Sequence, residues 1–241
     1  MDEITFTLYT SVALIFLSAL VLRLIIVFPA TSKSQRELKL NQNEQTKTSS
    51  LNPVKLLVLL GSGGHTGEMI RILSQFQGKL PLYGPRQYII SSGDSTSLLK
   101  ITEFEKASSN NKKQKQNPQK QYMMIPRARG IGDGKSVALY KTIHSFAITF
   151  QKLFQKGLHG DLPDFFLCNG PGTAIPIAYS LFFLKFIGLG HTKIIYVESL
   201  ARVNKLSLTG LLILPITDRF LVQWPQLAKQ YRRCEYYGML V

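Results

Sequence analysis

One stretch limits what this chain can fold into more than any other. Residues 4–28 read ITFTLYTSVALIFLSALVLRLIIVF, with Arg23 as the only charge. The run is long enough to cross about 30 Å of bilayer hydrocarbon. Arg23 lies near one end, where its long stem can carry the guanidinium to the interface. Tyr9 and Phe28 fall towards the two edges, where aromatic rings are favoured. A cleaved signal peptide opens with positive charge and has a shorter apolar core. Here Asp2-Glu3 opens the chain, and Ala30-Thr31-Ser32 is a weak cleavage site. The reading is a retained single-pass anchor over residues 4–28, preceded by a short segment 1–3. Lys33, Arg36 and Lys39 follow the span closely. The positive-inside rule therefore places the C-terminal body in the cytosol and the N-terminus on the far side.

The anchor also bears on the charge. A formal net charge of +15 implies an anionic partner: lipid headgroups, nucleic acid or phosphorylated substrates. The sequence has no zinc-finger spacing, RNA-recognition aromatic motif or recognition-helix signature, so no nucleic-acid partner is expected. A membrane surface accounts for the charge. Cys168 and Cys234 lie far apart, with no CxxC and no metal-ligand spacing, and read as reduced thiols in or near the core. No metal site is expected.

Residues 29–52 are polar and read as a linker. Residues 53–241 form the body. VKLLVLL (54–60) is a short apolar run ending at a Gly-rich turn, which predicts a buried parallel strand and a strand-to-helix loop. Met69, Ile70, Leu73 and Phe76 then recur at helical spacing. Further strands are predicted at 87–92, 122–126, 164–168, 193–197 and 219–223. Helices are predicted at 95–107, 137–156, 174–189 and 206–213. The helix at 174–189 is too short to span a bilayer and contains Pro176, so it reads as a core or membrane-contacting helix. Residues 108–121 (SSNNKKQKQNPQKQ) read as a flexible basic insertion, and 127–135 as a mobile basic loop. Strand and helix alternate throughout, which predicts an α/β, Rossmann-like parallel sheet flanked by helices.

In such sheets ligands bind beyond the C-terminal strand ends. Four strand ends carry polar or Gly-rich turns, at 61–67, 91–95, 169–173 and 198–202, and should converge on one crevice. The first reads Gly61-Ser62-Gly63-Gly64-His65-Thr66-Gly67-Glu68. Its glycines permit close backbone approach, and the following helix offers unpaired N–H groups, which together make an anion site. It is not a Walker A loop, and Thr66 stands where a dinucleotide fingerprint needs its last glycine. Asp94 is the nearest candidate for the fingerprint's acid but lies too far along. His65 can act as general base or donate to a phosphate. The competing reading is a capping or packing histidine. Asn169-Gly170-Pro171-Gly172-Thr173 is a second turn with exposed N–H groups, or simply a tight structural turn. Glu198 can bind a sugar hydroxyl or serve as base, or be a charge-paired loop residue.

The ordered set GSGGHTGEM, NGPGT and YVES, with the N-terminal anchor, resembles the family of membrane-anchoring subunits of the dolichol-linked N-acetylglucosamine transferase. It is similar, more distantly, to the N-terminal acceptor lobe of MurG-type glycosyltransferases. The resemblance covers nearly the whole chain; the basic insertion lies outside it. It implies one lobe of a split, two-lobe GT-B enzyme. A separate soluble catalytic subunit would supply the C-terminal lobe and bind UDP-N-acetylglucosamine as substrate. The reaction implied is inverting transfer of the second N-acetylglucosamine to N-acetylglucosaminyl-diphosphodolichol, on the cytosolic face of the endoplasmic reticulum membrane, with a lumenal N-terminus and no cofactor or metal. Other early enzymes of that pathway are further expected partners. His65 is then the first choice for the base and Glu198 the second. Gly61, Ser62, Gly63, Gly64 and Thr66 would cradle the acceptor diphosphate, with Asp94 beside them. Asn169, Gly170, Gly172 and Thr173 would shape the acceptor pocket. A two-lobe enzyme needs roughly twice a typical domain of about 100–150 residues, and this body holds one lobe, so no activity is expected without the partner. Residues 224–241 are the expected partner surface. The alternatives are a non-catalytic membrane scaffold for a soluble transferase, a membrane-anchored dinucleotide-binding oxidoreductase, and a lipid-surface module driven by charge alone.

Overall fold

The computed structural model describes residues 3–29, 54–75, 86–109, 122–127 and 134–241. Most of the linker expected at 29–52 (30–52), most of the basic insertion (110–121) and most of the basic loop (128–133) lie outside the described residues. Helix α1 (Glu3–Val27) is continuous, and every residue from Glu3 to Leu22 is exposed. It is the one described helix long and apolar enough to cross a membrane.

The body alternates as predicted. β1 (Leu56–Leu60) leads to α2 (Gly64–Gln75), β2 (Arg86–Ser91) to α3 (Ser95–Ser109), and β3 (Tyr122–Ile125) to α4 (Lys135–Leu158). β4 (Phe165–Asn169), α5 (Ala174–Phe186), β5 (Lys193–Val197), α6 (Leu208–Ile213), β6 (Arg219–Val222), α7 (Pro225–Gln230) and β7 (Cys234–Tyr236) complete the fold. Ser108 and Ser109, expected in the insertion, extend α3. The seven strands form one sheet in the order β3-β2-β1-β4-β5-β6-β7, every neighbouring pair parallel.

Successive strand residues point to opposite faces, and both faces are covered. Leu57, Leu59, Phe166, Cys168, Ile194 and Tyr196 face a layer built on α5, with Leu153 of α4 and Ile213 of α6. Val58, Leu60, Tyr88, Ile90 and Val197 face Met69, Ile72 and Leu73 of α2 and Ile101 of α3. Helix α5 buries Ala174, Ile177, Ala178, Leu181 and Leu184 against the sheet. It is therefore a core helix, and its 13 residues fall short of the ~20 a span requires. β7 and α7 were not predicted. Pro225 sits at the start of α7, but a three-residue strand is too short to show a period of two.

The chain's order reverses between β1 and β4, so the crevice of this sheet opens at their C-terminal ends. At the opposite ends, Asp164 accepts from the Lys55 backbone N–H at 2.8 Å. Lys55 and Lys156 reach Asp161 at 2.9 and 3.2 Å. The Lys55 hydrogen bond holds the Asp161 carboxyl below its ordinary value, against burial, and Lys156 adds to the lowering. A lowered carboxylate stabilises the fold above its unfolded pKa of about 4, and that contribution is lost as pH falls through the folded value. Asp161→Asn should therefore cost at most about 1 kcal/mol at pH 7, since the pair is half exposed and screened. Melting curves should show the gap from wild type closing below pH ~4. A gap constant with pH would contradict this.

Candidate functional site at the β1–β4 switch point

The four predicted strand-end turns do converge, and β6 adds a fifth. After β1 the chain turns through Gly63, at φ +66, and enters α2 at Gly64. Ser62, Gly63 and Gly64 are exposed, and a Cβ on either glycine would meet nothing within 4 Å. The backbone here is open to a ligand at the start of a 12-residue helix, where N–H groups and the helix dipole favour an anion.

His65 stands on the first turn of α2 with its side chain 34% exposed. Its ring packs against Gly170, so a Cβ on Gly170 would clash with three of the imidazole's atoms. Gly170 is at φ +47, a conformation that favours glycine. On the other side, a Cβ on Gly61 would come within 2.8 Å of both the His65 Cβ and the Pro171 ring. His65 thus packs against both turns, with its ring on Gly170 and its Cβ beside Gly61.

Glu68, one helical turn along, joins the strand ends. Its Oε2 lies 3.4 Å from His65 Nδ1 and accepts from Asn169 Nδ2 at 3.2 Å. Its Oε1 accepts from Ser199 Oγ at 2.9 Å and from the Leu200 backbone N–H at 3.2 Å. Asn169 Nδ2 also donates to the His65 carbonyl at 2.9 Å, and Trp224 Nε1 donates to the Leu200 carbonyl at 2.8 Å. One carboxylate therefore ties the turn after β1 to those after β4 and β5, and Trp224 extends the tie to β6. A carboxylate beside Nδ1 favours the proton there and leaves Nε2 as the acceptor. Sequence reasoning missed Glu68; its i,i+3 spacing from His65 was the available signal.

Other predicted residues turn inward. Thr66 is fully buried; its hydroxyl bonds the Gly61 carbonyl and lies 2.6 Å from Ser97 Oγ. Asp94 is 5% exposed and caps α3, accepting from the Ser97 N–H at 3.1 Å and from Ser97 Oγ at 2.7 Å. These two stitch β1 to β2 and present no open surface. The fingerprint's last glycine is replaced here by a buried, bonded threonine, which counts against a dinucleotide site. Glu198 is 1% exposed. Its carboxylate accepts from the Ser207 and Ser199 N–H groups at 2.9 and 3.1 Å and from Ser207 Oγ at 3.1 Å. Tyr196 donates to it at 3.4 Å; burial first, then that carboxylate, pushes the phenol's pKa up. Glu198 therefore braces the β5–α6 loop, and the partly open titratable groups at the crevice include His65, its side chain 34% exposed, and Glu68, 18% exposed. In the second turn the Ala174 and Ile175 N–H groups bond the Pro171 and Gly172 carbonyls, and Thr173 is buried. These two N–H groups, expected to be exposed, are satisfied within the turn, as its structural reading requires; Gly172 is the exposed residue of the turn.

Among the described residues, no group of three or more His, Cys, Asp or Glu side chains is placed to hold a metal. Cys168 and Cys234 are buried free thiols, and burial pushes the Cys168 thiol up.

This geometry can be set beside known proteins. The chain is 44% identical over 224 residues to the UDP-N-acetylglucosamine transferase subunit ALG14 of Debaryomyces hansenii, covering 91% of this chain and 90% of that one. It is 35% identical over 188 residues to the protein of the same name from Homo sapiens, covering 78% and 83%. Among solved structures, Acinetobacter baumannii MurG aligns with a TM-score of 0.47 at 13% identity, over 72% of this chain and 43% of that one. That likeness is too slight to bear weight, and the seven-stranded sheet stands without it. The model of the family described as oligosaccharide biosynthesis protein Alg14 like matches residues 56–240, and the chain belongs to that family.

Proposed function

We propose that this chain is the membrane-bound, acceptor-side subunit of a UDP-N-acetylglucosamine transferase, working with a separate soluble subunit that binds the sugar nucleotide. The observation that carries the reading is the His65–Glu68–Asn169 cluster at the switch point, beside an exposed glycine backbone at a helix start. The relatives' names, each a transferase subunit, support it. The acceptor is a diphospho-lipid bearing one N-acetylglucosamine, dolichol-linked, at the cytosolic face of the endoplasmic reticulum membrane. The backbone at 61–64 receives its diphosphate. The sugar hydroxyl attacks the anomeric carbon of the donor from the face opposite UDP. The new C–O bond forms as the bond to UDP breaks, and the hydroxyl proton passes to His65 Nε2. The partner docks near β7, where Tyr237 and Met239 are exposed.

The test is transfer from labelled UDP-N-acetylglucosamine to the diphospho-lipid acceptor in membranes carrying the chain, with and without the soluble partner. Wild type should transfer only with the partner. His65→Ala should lose about 10²–10⁴-fold in rate while the complex stays intact. Full activity in the mutant would leave this chain a recruiting scaffold, and no transfer by wild type with the partner would end the transferase reading.

A further inference from the structure

Helix α1 meets the body at its last turn. Val27 and Pro29 are buried, and Phe28 packs edge-on against Phe182 of α5, with ring centroids 5.3 Å apart. One turn earlier, the only charged side chain of the apolar stretch leaves the helix for α5. Arg23 Nε donates to the Phe186 carbonyl at 2.8 Å, and Nη2 donates to the Lys185 carbonyl at 2.9 Å. The sequence reading gave this guanidinium no protein partner; its hydrogen bonds go to the end of a core helix.

The bonding is specific. A helix ends with unpaired carbonyls and a partial negative charge. At the end of α5 the Ile187, Gly188 and Leu189 N–H groups satisfy the Phe183, Lys185 and Leu184 carbonyls, and Gly188, at φ +85, turns the chain away. Arg23 supplies the donor for Phe186. Its planar fork reaches two neighbouring carbonyls, which a lysine's compact ammonium matches less well. The Lys185 ammonium is engaged elsewhere, 3.3 Å from Asp218, and does not compete.

The other end of α5 is the site. The helix starts at Ala174, directly after the turn that carries Gly170, and its 13 residues make a strut about 20 Å long at 1.5 Å per residue. We propose that Arg23 is a positioning residue: it fastens the anchor to this strut and so sets the height and tilt of the acceptor crevice above the bilayer. A helix joined to the body by chain alone would let the lobe swing. A helix fastened at Arg23 and Phe28 holds the crevice at one level relative to lipid-borne headgroups. The positioning role in transfer rests on the acceptor-side reading above; the fastening itself does not.

The experiment uses the full chain with its soluble partner in phospholipid vesicles, comparing Arg23, Arg23→Leu and Arg23→Lys. In each background Phe28→Cys and Phe182→Cys are joined with a short bis-maleimide; the native cysteines are buried. Cross-linking should fall about tenfold in Arg23→Leu, the size one charged hydrogen bond carries, and be partly restored in Arg23→Lys. Without the cysteine pair, Arg23→Leu should lose about tenfold in kcat/KM towards a long-chain acceptor in the bilayer. It should keep its rate with a short-chain, water-soluble acceptor. Equal cross-linking in Arg23 and Arg23→Leu overturns the fastening. Equal loss with both acceptors overturns the positioning role and shows general damage. No transfer by wild type with either acceptor overturns the transferase reading and with it the role in transfer, while the cross-link still decides the fastening.

Discussion

Gly170→Ala should remove nearly all transfer activity while leaving the membrane anchor and most of the fold intact. Two effects act together. At φ +47 an alanine costs about 1–2 kcal/mol in backbone strain alone. Its Cβ would also occupy the space of the His65 ring, so the imidazole must leave. The expected loss therefore approaches that of His65→Ala, about 10²–10⁴-fold. Gly134→Ala is the control: a Cβ there meets open space, and its φ is −61. It should transfer as wild type does. Steady-state transfer with the partner, beside circular dichroism and carbonate extraction, reads both variants. A Gly170→Ala protein with wild-type rate would mean that the observed place of His65 has no bearing on the chemistry.

Glu68→Ala should cost both stability and rate. Removing the carboxylate strips the acceptor from Asn169 Nδ2, Ser199 Oγ and the Leu200 N–H at once, and leaves His65 Nδ1 without its neighbour. Each donor that water cannot reach costs about 1–3 kcal/mol. For a domain of this size each kcal/mol lowers the melting temperature by about 2–4 °C. The rate should fall about 10²-fold, because the imidazole is then free to turn and to exchange tautomers. Glu68→Gln separates the two effects. With its oxygen kept as acceptor for Ser199 and Leu200, it brings its amide N–H₂ to His65 and Asn169. It should recover most of the stability and less of the rate. If Glu68→Ala melts several degrees lower yet keeps its full rate, Glu68 is a brace alone.

How much of this was legible in the sequence depends on how far apart the interacting residues lie. The parallel sheet was readable because each strand is a short apolar run and each helix follows at its own spacing. The convergence of the strand ends followed from that alternation, and His65 from its place at the first one. Glu68 was not readable. Its partners Asn169 and Ser199 lie 101 and 131 residues away, and nothing local marks a carboxylate that will reach them. Arg23 is a similar case, with carbonyl partners 162 and 163 residues distant. Asp94 and Glu198 stand at strand ends as expected, but backbone N–H groups and serine hydroxyls draw both carboxylates inward. For Asp94 the local signal was present: Ser97 stands three residues on, the spacing of a helix cap. For Glu198 the partner loop returns nine residues later, beyond any capping pattern.

The central claim is that the lipid-linked acceptor binds this chain at the crevice between the turns after β1 and β4. A diphospho-lipid acceptor bearing a photoreactive N-acetylglucosamine analogue tests it directly, in membranes holding the intact complex, with adducts mapped by mass spectrometry. The account predicts adducts on residues 61–68 and 169–173, suppressed by excess unlabelled acceptor and lost in Gly170→Ala. Competed adducts confined to the soluble partner would contradict it and leave this chain as a membrane support for chemistry done elsewhere.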